Sequence, residues 1–149
     1  MTSRVRARGV VSAALLALGL LSLFAPAVLA DSWPQDGSDP YQTGCAATGW
    51  LPYAPTWTGN GWLQLDFSSG CTTAWAQFTC ASAGGCQNFT LWAKRWPDGK
   101  SENVWVNWPS AISNGATVHT AQLFDGGAYT VQACEQRYFW GYTFCTPLY

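Results

Sequence analysis

Charged side chains are scarce in this sequence, and histidine is almost missing. Aspartate, glutamate, lysine and arginine make up 10% of the 149 residues, with seven basic against eight acidic residues. A nucleic-acid site needs many cations to neutralise a row of phosphates. His119 is the only imidazole, so a zinc site or a histidine base has little to be built from. We therefore expect no nucleic-acid partner, no metal and no cofactor.

The patterns that accompany common hydrolytic centres are missing as well. There is no Gly-x-Ser-x-Gly elbow and no Cys-x-x-Cys arrangement. Most of the acids lie in turn-like sequence, where they bond their own backbone. Two alternatives stay open: Asp66 with Glu135 as the carboxylate pair of a small glycan hydrolase, and Asp36 with Asp39 as oxygen ligands of calcium. The leading prediction is a protein that is not an enzyme.

The first thirty residues have the three parts of an export signal. Arg4, Arg6 and Arg8 precede an apolar run over residues 10–24, and small residues end at Ala30. We predict cleavage after Ala30 and secretion to the extracellular medium, with a retained anchor as the alternative. The mature chain would then have about 120 residues, the size of one domain. It would keep four basic and eight acidic residues, so we expect it to be mildly acidic. We also expect no stable membrane insertion.

The remaining sequence predicts two regions of one domain. Residues 31–60 are rich in Pro, Gly, Ser and Thr and favour irregular structure. Residues 61–149 carry short aromatic and β-branched runs separated by turns, which is typical of an all-β sandwich or barrel. We expect about seven strands, at residues 62–67, 73–79, 88–92, 103–108, 117–124, 129–133 and 138–144.

Six cysteines in a chain with an export signal predict disulfides. Six cysteines allow fifteen pairings, and spacing alone does not choose between them. One pairing joins Cys80 to Cys86 around a short flexible loop, Cys134 to Cys145 across the last hairpin, and Cys45 to Cys71. An alternative joins Cys45 or Cys71 to Cys134.

Tryptophan is the residue in excess, with ten in the chain. A small β domain buries some of them, and Trp75, inside a predicted hairpin, is expected in the core. Others lie in loop-like or turn-like sequence, where exposure is common. An exposed ring covers the apolar face of a sugar while neighbouring amides bind its hydroxyls. The residues predicted to bind a ligand are Trp50, Tyr53, Trp57 and Trp96.

Three local patterns resemble a known family. They are Asp39-Pro-Tyr-Gln-Thr-Gly-Cys45, the stretch Leu65-Asp-Phe-Ser-Ser-Gly-Cys-Thr-Thr-Ala-Trp-Ala-Gln77, and Ala133-Cys134. Together they resemble the secreted bacterial family called domain of unknown function 2690 over roughly residues 39–134. That family usually has arginine where this chain has Asp66 and Gln77, and Cys80, Cys86 and Cys145 are additions to its usual pattern. The resemblance implies a secreted, disulfide-bonded β domain and brings no established activity.

The sequence thus predicts a secreted, non-catalytic binding protein. Its expected ligand is an extracellular or cell-envelope polysaccharide, bound by exposed aromatic residues. A second hypothesis is a secreted inhibitor or antagonistic exoprotein that binds another secreted or surface protein through the loop between Cys80 and Cys86. The third is the glycan hydrolase with Asp66 and Glu135.

Overall fold

A computed structural model describes residues 34–149 as two antiparallel β-sheets packed face to face. The export signal predicted over residues 1–30 lies outside the described residues. In chain order the strands are β1 Gly49–Trp50, β2 Thr56–Trp57, β3 Gly61–Ser68, β4 Thr73–Cys80, β5 Phe89–Trp96, β6 Ser101–Val106, β7 Thr117–His119, β8 Leu123–Phe124, β9 Thr130–Arg137 and β10 Thr143–Cys145. A single 3₁₀ turn, Cys45–Thr48, is the only helical element in this part of the chain.

The larger sheet has six strands and the smaller has four. In the six-stranded sheet the order is β1-β3-β4-β7, with β2 added to β3 and β8 added to β4. In the four-stranded sheet the order is β10-β9-β5-β6. Neither sheet closes on itself, so the molecule is a β-sandwich and not a barrel. This confirms the all-β prediction.

Alternation of side chains along the strands builds the core between the sheets. In β3, Leu63 and Leu65 are buried while Gln64 and Asp66 face outward, as a period of two requires. Phe78 of β4 meets Phe89 of β5 with ring centroids 4.8 Å apart. The buried cluster comprises Leu63, Leu65, Ala74, Ala76, Phe78, Cys80, Cys86, Phe89, Leu91, Ala93, Val106, Leu123, Val131 and Ala133.

Ten strands are present where the sequence predicts about seven, and the predicted strand over residues 138–144 is wrong for residues 138–142, which connect β9 to β10. Two of the extra strands, β1 and β2, are two-residue pairings inside the irregular segment, and the predicted strand over residues 117–124 is divided into β7 and β8. Propensity does not reveal such short strands because their pairing to β3 and β4 is made by distant parts of the chain.

The segment over residues 34–60 is mostly turns, and its part around Tyr41 and Gly49 lies on the outer face of the six-stranded sheet. It covers Trp75, which points outward from β4 and is nevertheless only 1% exposed. Gly49, in this cover, packs closely on the ring: a β-carbon there would lie 3.1 Å from Trp75 Cη2, so a larger residue would have to displace the ring slightly. Trp75 is therefore buried, as expected, but between the sheet and the N-terminal segment.

All six cysteines form disulfides. The pairs are Cys45–Cys71, Cys80–Cys86 and Cys134–Cys145, which confirms the first of the two pairings considered from the sequence. The first bond ties the N-terminal segment to the β3–β4 hairpin, and the third joins neighbouring strands β9 and β10. No helix within residues 34–149 has the length and apolar character needed to cross a bilayer.

Candidate functional site

Two of the four predicted ligand-binding residues lie together near the C-terminus. The rings of Trp50 and Tyr53 both meet Tyr149 edge-on, with centroids 5.7 and 6.2 Å away. The Tyr53 hydroxyl donates a hydrogen bond to the backbone oxygen of Leu148. These contacts anchor the irregular segment to the end of the chain.

The other two predicted residues lie elsewhere. The ring of Trp57 meets that of Trp62 in a tilted contact on the six-stranded sheet, with centroids 4.9 Å apart. Trp96 is the last residue of β5 in the four-stranded sheet. The structure therefore does not bring the four predicted residues into one platform, because they are distributed over both sheets.

The outer face of the four-stranded sheet carries a different set of aromatic residues, which we call the aromatic face. On β5, Thr90, Trp92, Lys94 and Trp96 point outward in alternation with the buried Phe89, Leu91, Ala93 and Arg95. The name covers Thr90, Trp92, Lys94, Trp96, Ser101, Asn103, Trp105, Gln136 and Tyr138.

The strand register places these side chains in transverse rows. Thr90 lies between Trp105 of β6 and Gln136 of β9, and Trp92 lies opposite Asn103. Side chains at such paired and diagonal positions are close enough to touch the same ligand. The rows line an open groove of about 440 Å³.

Tyr138 closes one end of the aromatic face. Its hydroxyl lies 2.5 Å from the Thr90 hydroxyl, and its ring centroid is 6.3 Å from that of Trp105. At the opposite end, the Lys94 ammonium lies 4.3 Å from the centroid of the Trp96 ring, a cation–π contact. Trp105 is 68% exposed, so its ring is open to a ligand.

A second concavity, the end cavity, lies beyond the end of the same sheet where β5 begins and β9 ends. It encloses about 530 Å³. Its wall combines the Arg137 guanidinium, amide side chains and the aromatic hairpin between β9 and β10. The lining residues are Thr58, Gly59, Asn60, Ser82, Gly85, Gln87, Asn88, Arg137, Phe139, Trp140, Tyr142 and Phe144.

The carboxylate pair considered for hydrolysis is not assembled. Asp66 lies on the outer face of the six-stranded sheet, where partial burial raises its pKa. Glu135 belongs to the other sheet and is fully buried, with one oxygen 3.1 Å from Arg137 Nε. Burial also raises the pKa of Glu135. The core separates the two acids, so they cannot flank one glycosidic bond.

The two acids considered for calcium have other partners. Asp36 accepts hydrogen bonds from Arg95, Lys100 and the backbone of Phe124. Asp39 Oδ1 accepts the backbone N–H of Tyr41, which is the first cause of its lowered pKa. Within residues 34–149, no group of three or more His, Cys, Asp or Glu side chains is arranged to hold a metal ion.

His119 lies on the outer face of the six-stranded sheet, in register with Gln77. Its Nε2 is 3.5 Å from Asp39 Oδ2, and its ring lies 4.6 Å from that of Tyr41. Asp66 lies on the same face, and Tyr41 donates a hydrogen bond to Gln77. The two positions where the family usually has arginine therefore share one face, opposite to the aromatic face.

Sequence reasoning missed Trp92, Tyr138, Asn103 and Gln136 as site residues. The available signal was the alternation of Thr90, Trp92, Lys94 and Trp96, which puts two tryptophans on one side of a strand. That signal was hidden because the predicted strand ended at Trp92, whereas β5 continues to Trp96. Trp105 and Trp108 are three residues apart, so on one extended strand they would face opposite sides, which predicts that at least one is exposed; both are exposed.

Comparison with known proteins identifies a family. Searches of curated proteins and of solved structures return no match to the chain. The family model described as "Protein of unknown function (DUF2690)" matches residues 34–134. This range contains β1 to β8 and the first five of the eight residues of β9, and it ends before the aromatic β9–β10 hairpin. The match covers more than half of the sequence, and the chain belongs to the DUF2690 family.

Proposed function

We propose that this protein is a secreted, non-catalytic module that binds an extracellular or cell-envelope polysaccharide on the aromatic face. The observation that carries the proposal is the grouping of Trp92, Trp105 and Tyr138 with Asn103 and Gln136 around one open groove. Aromatic rings cover the apolar faces of sugars, and side-chain amides exchange hydrogen bonds with hydroxyls. An open groove also suits a polymer, since a long chain can enter and leave at both ends.

Two further features support this proposal. Among the described residues, Lys94 is the only basic side chain that lines the groove, so the groove suits a neutral or weakly charged polymer better than a polyanion. The three disulfides are typical of proteins that work in an oxidising compartment, in keeping with an export signal over residues 1–30.

The competing functions have less support. The loop between Cys80 and Cys86 exposes Ala81, Ala83 and Gly84, which offer no large anchor of the type that dominates protein interfaces. The hydrolase hypothesis loses its carboxylate pair because Asp66 and Glu135 belong to different sheets.

Co-sedimentation with insoluble peptidoglycan, chitin and cellulose tests the proposal. The oxidised protein is mixed with each polymer, and both protein depletion and released soluble sugar are measured. We expect depletion without sugar release. Replacing Trp105 or Trp92 by Ala should weaken binding about tenfold each, since each change removes an aromatic contact.

The matched control is Trp57→Ala, which removes an equally large ring from the opposite sheet and should leave binding unchanged. Sugar release would instead support the hydrolase. Failure to bind any of the three polymers, or a loss caused by Trp57→Ala and not by Trp105→Ala, would contradict the proposed site.

A further inference from the structure

The end cavity carries chemistry that the aromatic face does not need. It adjoins the face, because Asn88 and Arg137 line the cavity while Thr90 and Gln136, two and one residues away, line the groove. A sugar chain in the groove could therefore extend a residue or a substituent into the cavity. The Tyr138–Tyr142 hairpin that walls it lies beyond the part of the chain matched by the family.

Arg137 presents one free nitrogen at the wall of this cavity. Its Nε donates to Glu135, and its Nη2 donates to Thr58 at 3.1 Å and to Asn60. These three partners hold the guanidinium in one orientation. Nη1 makes no hydrogen bond within residues 34–149, and it is not a buried atom. About 10% of the Arg137 side chain is exposed. Nη1 is therefore a positioned hydrogen-bond donor for a ligand oxygen.

Gln87 carries an unpaired hydrogen-bond acceptor at the same cavity. Its Oε1 is buried and accepts no hydrogen bond from the described residues, although Gln87 lines the same cavity. Leaving a buried acceptor unsatisfied is unfavourable. A turn of the Gln87 side chain would bring Oε1 to the cavity surface, where a ligand N–H or O–H would satisfy it.

The charge and the apolar wall of the cavity further restrict the chemical class of ligand that it can bind. The charge of Arg137 is offset by its ion pair with Glu135, so the cavity suits a neutral polar group better than a strong anion. Trp140, Tyr142 and Phe144 add aromatic surface on the other side, which suits a small apolar group.

We propose that the end cavity binds the acetamido group of an N-acetylated sugar. The acetamido oxygen would accept from Arg137, its N–H would donate to Gln87, and its methyl group would contact the aromatic hairpin. This inference rests on the proposed function, because the sugar chain would lie on the aromatic face and place one acetamido group in the cavity.

Calorimetric titration with two matched oligosaccharides tests the inference. Chitohexaose carries an acetamido group at the position where cellohexaose carries a hydroxyl. We expect the oxidised protein to bind chitohexaose about tenfold tighter, since a site with paired donor and acceptor rejects a ligand that leaves them unmatched. Trp140→Ala and Gln87→Met should each reduce the ratio to about twofold, because they weaken chitohexaose binding more than cellohexaose binding. Trp108→Ala, which removes an exposed tryptophan outside both sites, should leave the ratio unchanged.

The outcomes separate the two proposals. Equal binding of both oligosaccharides, or a ratio that survives in both cavity variants, overturns the acetamido site and leaves the glycan-binding face intact. Chitohexaose binding that depends on Trp140 and not on Trp92 or Trp105 supports the cavity and overturns the face. Absence of binding to either oligosaccharide overturns both. Because peptidoglycan also carries acetamido groups, a parallel titration with peptide-free peptidoglycan strands identifies which of the two polymers is bound more tightly.

Discussion

Arg95 and Asp36 form an ion pair in the interior, with Arg95 Nη1 3.1 and 2.8 Å from the two carboxylate oxygens of Asp36. Arg95 is fully buried on β5, and Asp36 lies 59 residues earlier in the N-terminal segment. Asp36 also accepts a hydrogen bond from the backbone of Phe124 in β8. The carboxylate therefore connects the irregular segment to both sheets.

Replacing Asp36 by Ala should destabilise the protein by about 3 kcal/mol or more. Removing one partner of a buried ion pair leaves the other charge desolvated and less well compensated. Urea unfolding at neutral pH measures the loss. The control is Asp98→Ala, which removes a partner of Arg95 whose side chain is 28% exposed, and it should cost less. A larger loss for Asp98→Ala than for Asp36→Ala would contradict the role assigned to Asp36.

Asp125 predicts an unusual dependence of stability on pH. Burial raises the pKa of Asp125 from 3.8 to about 7, and its Oδ2 has no hydrogen-bond partner among the described residues. Between about pH 4 and pH 7 the unfolded carboxyl ionises while the folded one keeps its proton. Wild-type stability should therefore fall as the pH rises through this range.

Asp125→Asn should remove that loss, since the amide is neutral at every pH. We expect the variant to match the wild type near pH 4 and to exceed its free energy of unfolding by about 2–4 kcal/mol at pH 8. Asp98→Asn is a control of opposite sign: hydrogen bonds from Arg95 lower the pKa of Asp98, so this variant should be less stable at pH 8 and approach the wild type in acid. A constant difference for Asp125→Asn across the pH range would contradict the prediction.

Tyr138→Phe should weaken polysaccharide binding about two- to fivefold. The ring remains, but the hydrogen bond between the Tyr138 and Thr90 hydroxyls is lost, and the side chain is less firmly held at the end of the groove. Co-sedimentation measures binding, and thermal unfolding should shift little. Tyr41→Phe, which removes a tyrosine hydrogen bond to Gln77 on the opposite sheet, should leave binding unchanged.

The Cys45–Cys71 bond should contribute more to stability than the Cys80–Cys86 bond. The two bonds join residues 26 and 6 positions apart, and a longer closed loop restricts the unfolded chain more. The double substitution to serine should cost about 3 kcal/mol at the first pair and about 2 kcal/mol at the second. Urea unfolding of both double variants gives the comparison, and the reverse order would show that native-state contacts outweigh loop closure.

Much of the architecture could be predicted from local patterns. The β3–β4 hairpin follows from the alternation of Leu63 and Leu65 with polar residues and from the turn that separates the strands. The Cys80–Cys86 bond spans a short loop, and short loops bring their ends together without help from the rest of the fold. These features depend on residues close in sequence, so the sequence alone reveals them.

The aromatic face could not be predicted in the same way. Trp96 joins Trp92 on one face because β5 continues beyond Trp92, and that extension is made by pairing Arg95 with Val131 and Trp96 with Thr130 of β9. Similarly, the local sequence around Asp36 indicates an acid that bonds the backbone of its own turn. Only the fold brings Arg95 of β5 beside it. Contacts between residues many positions apart decide both cases.

On its own, the sequence determines the all-β class, the capacity for three disulfides and a surface rich in tryptophan and poor in charge. Composition and a period of two are local properties, and every chain with this order of residues has them. Only the tertiary structure decides which tryptophans share a face, which acids are buried beside arginine, and that Asp66 and Glu135 lie on different sheets. The physical reason is that strand pairing and sheet packing join distant residues, so the side-chain surroundings depend on the register of partners that no local pattern specifies.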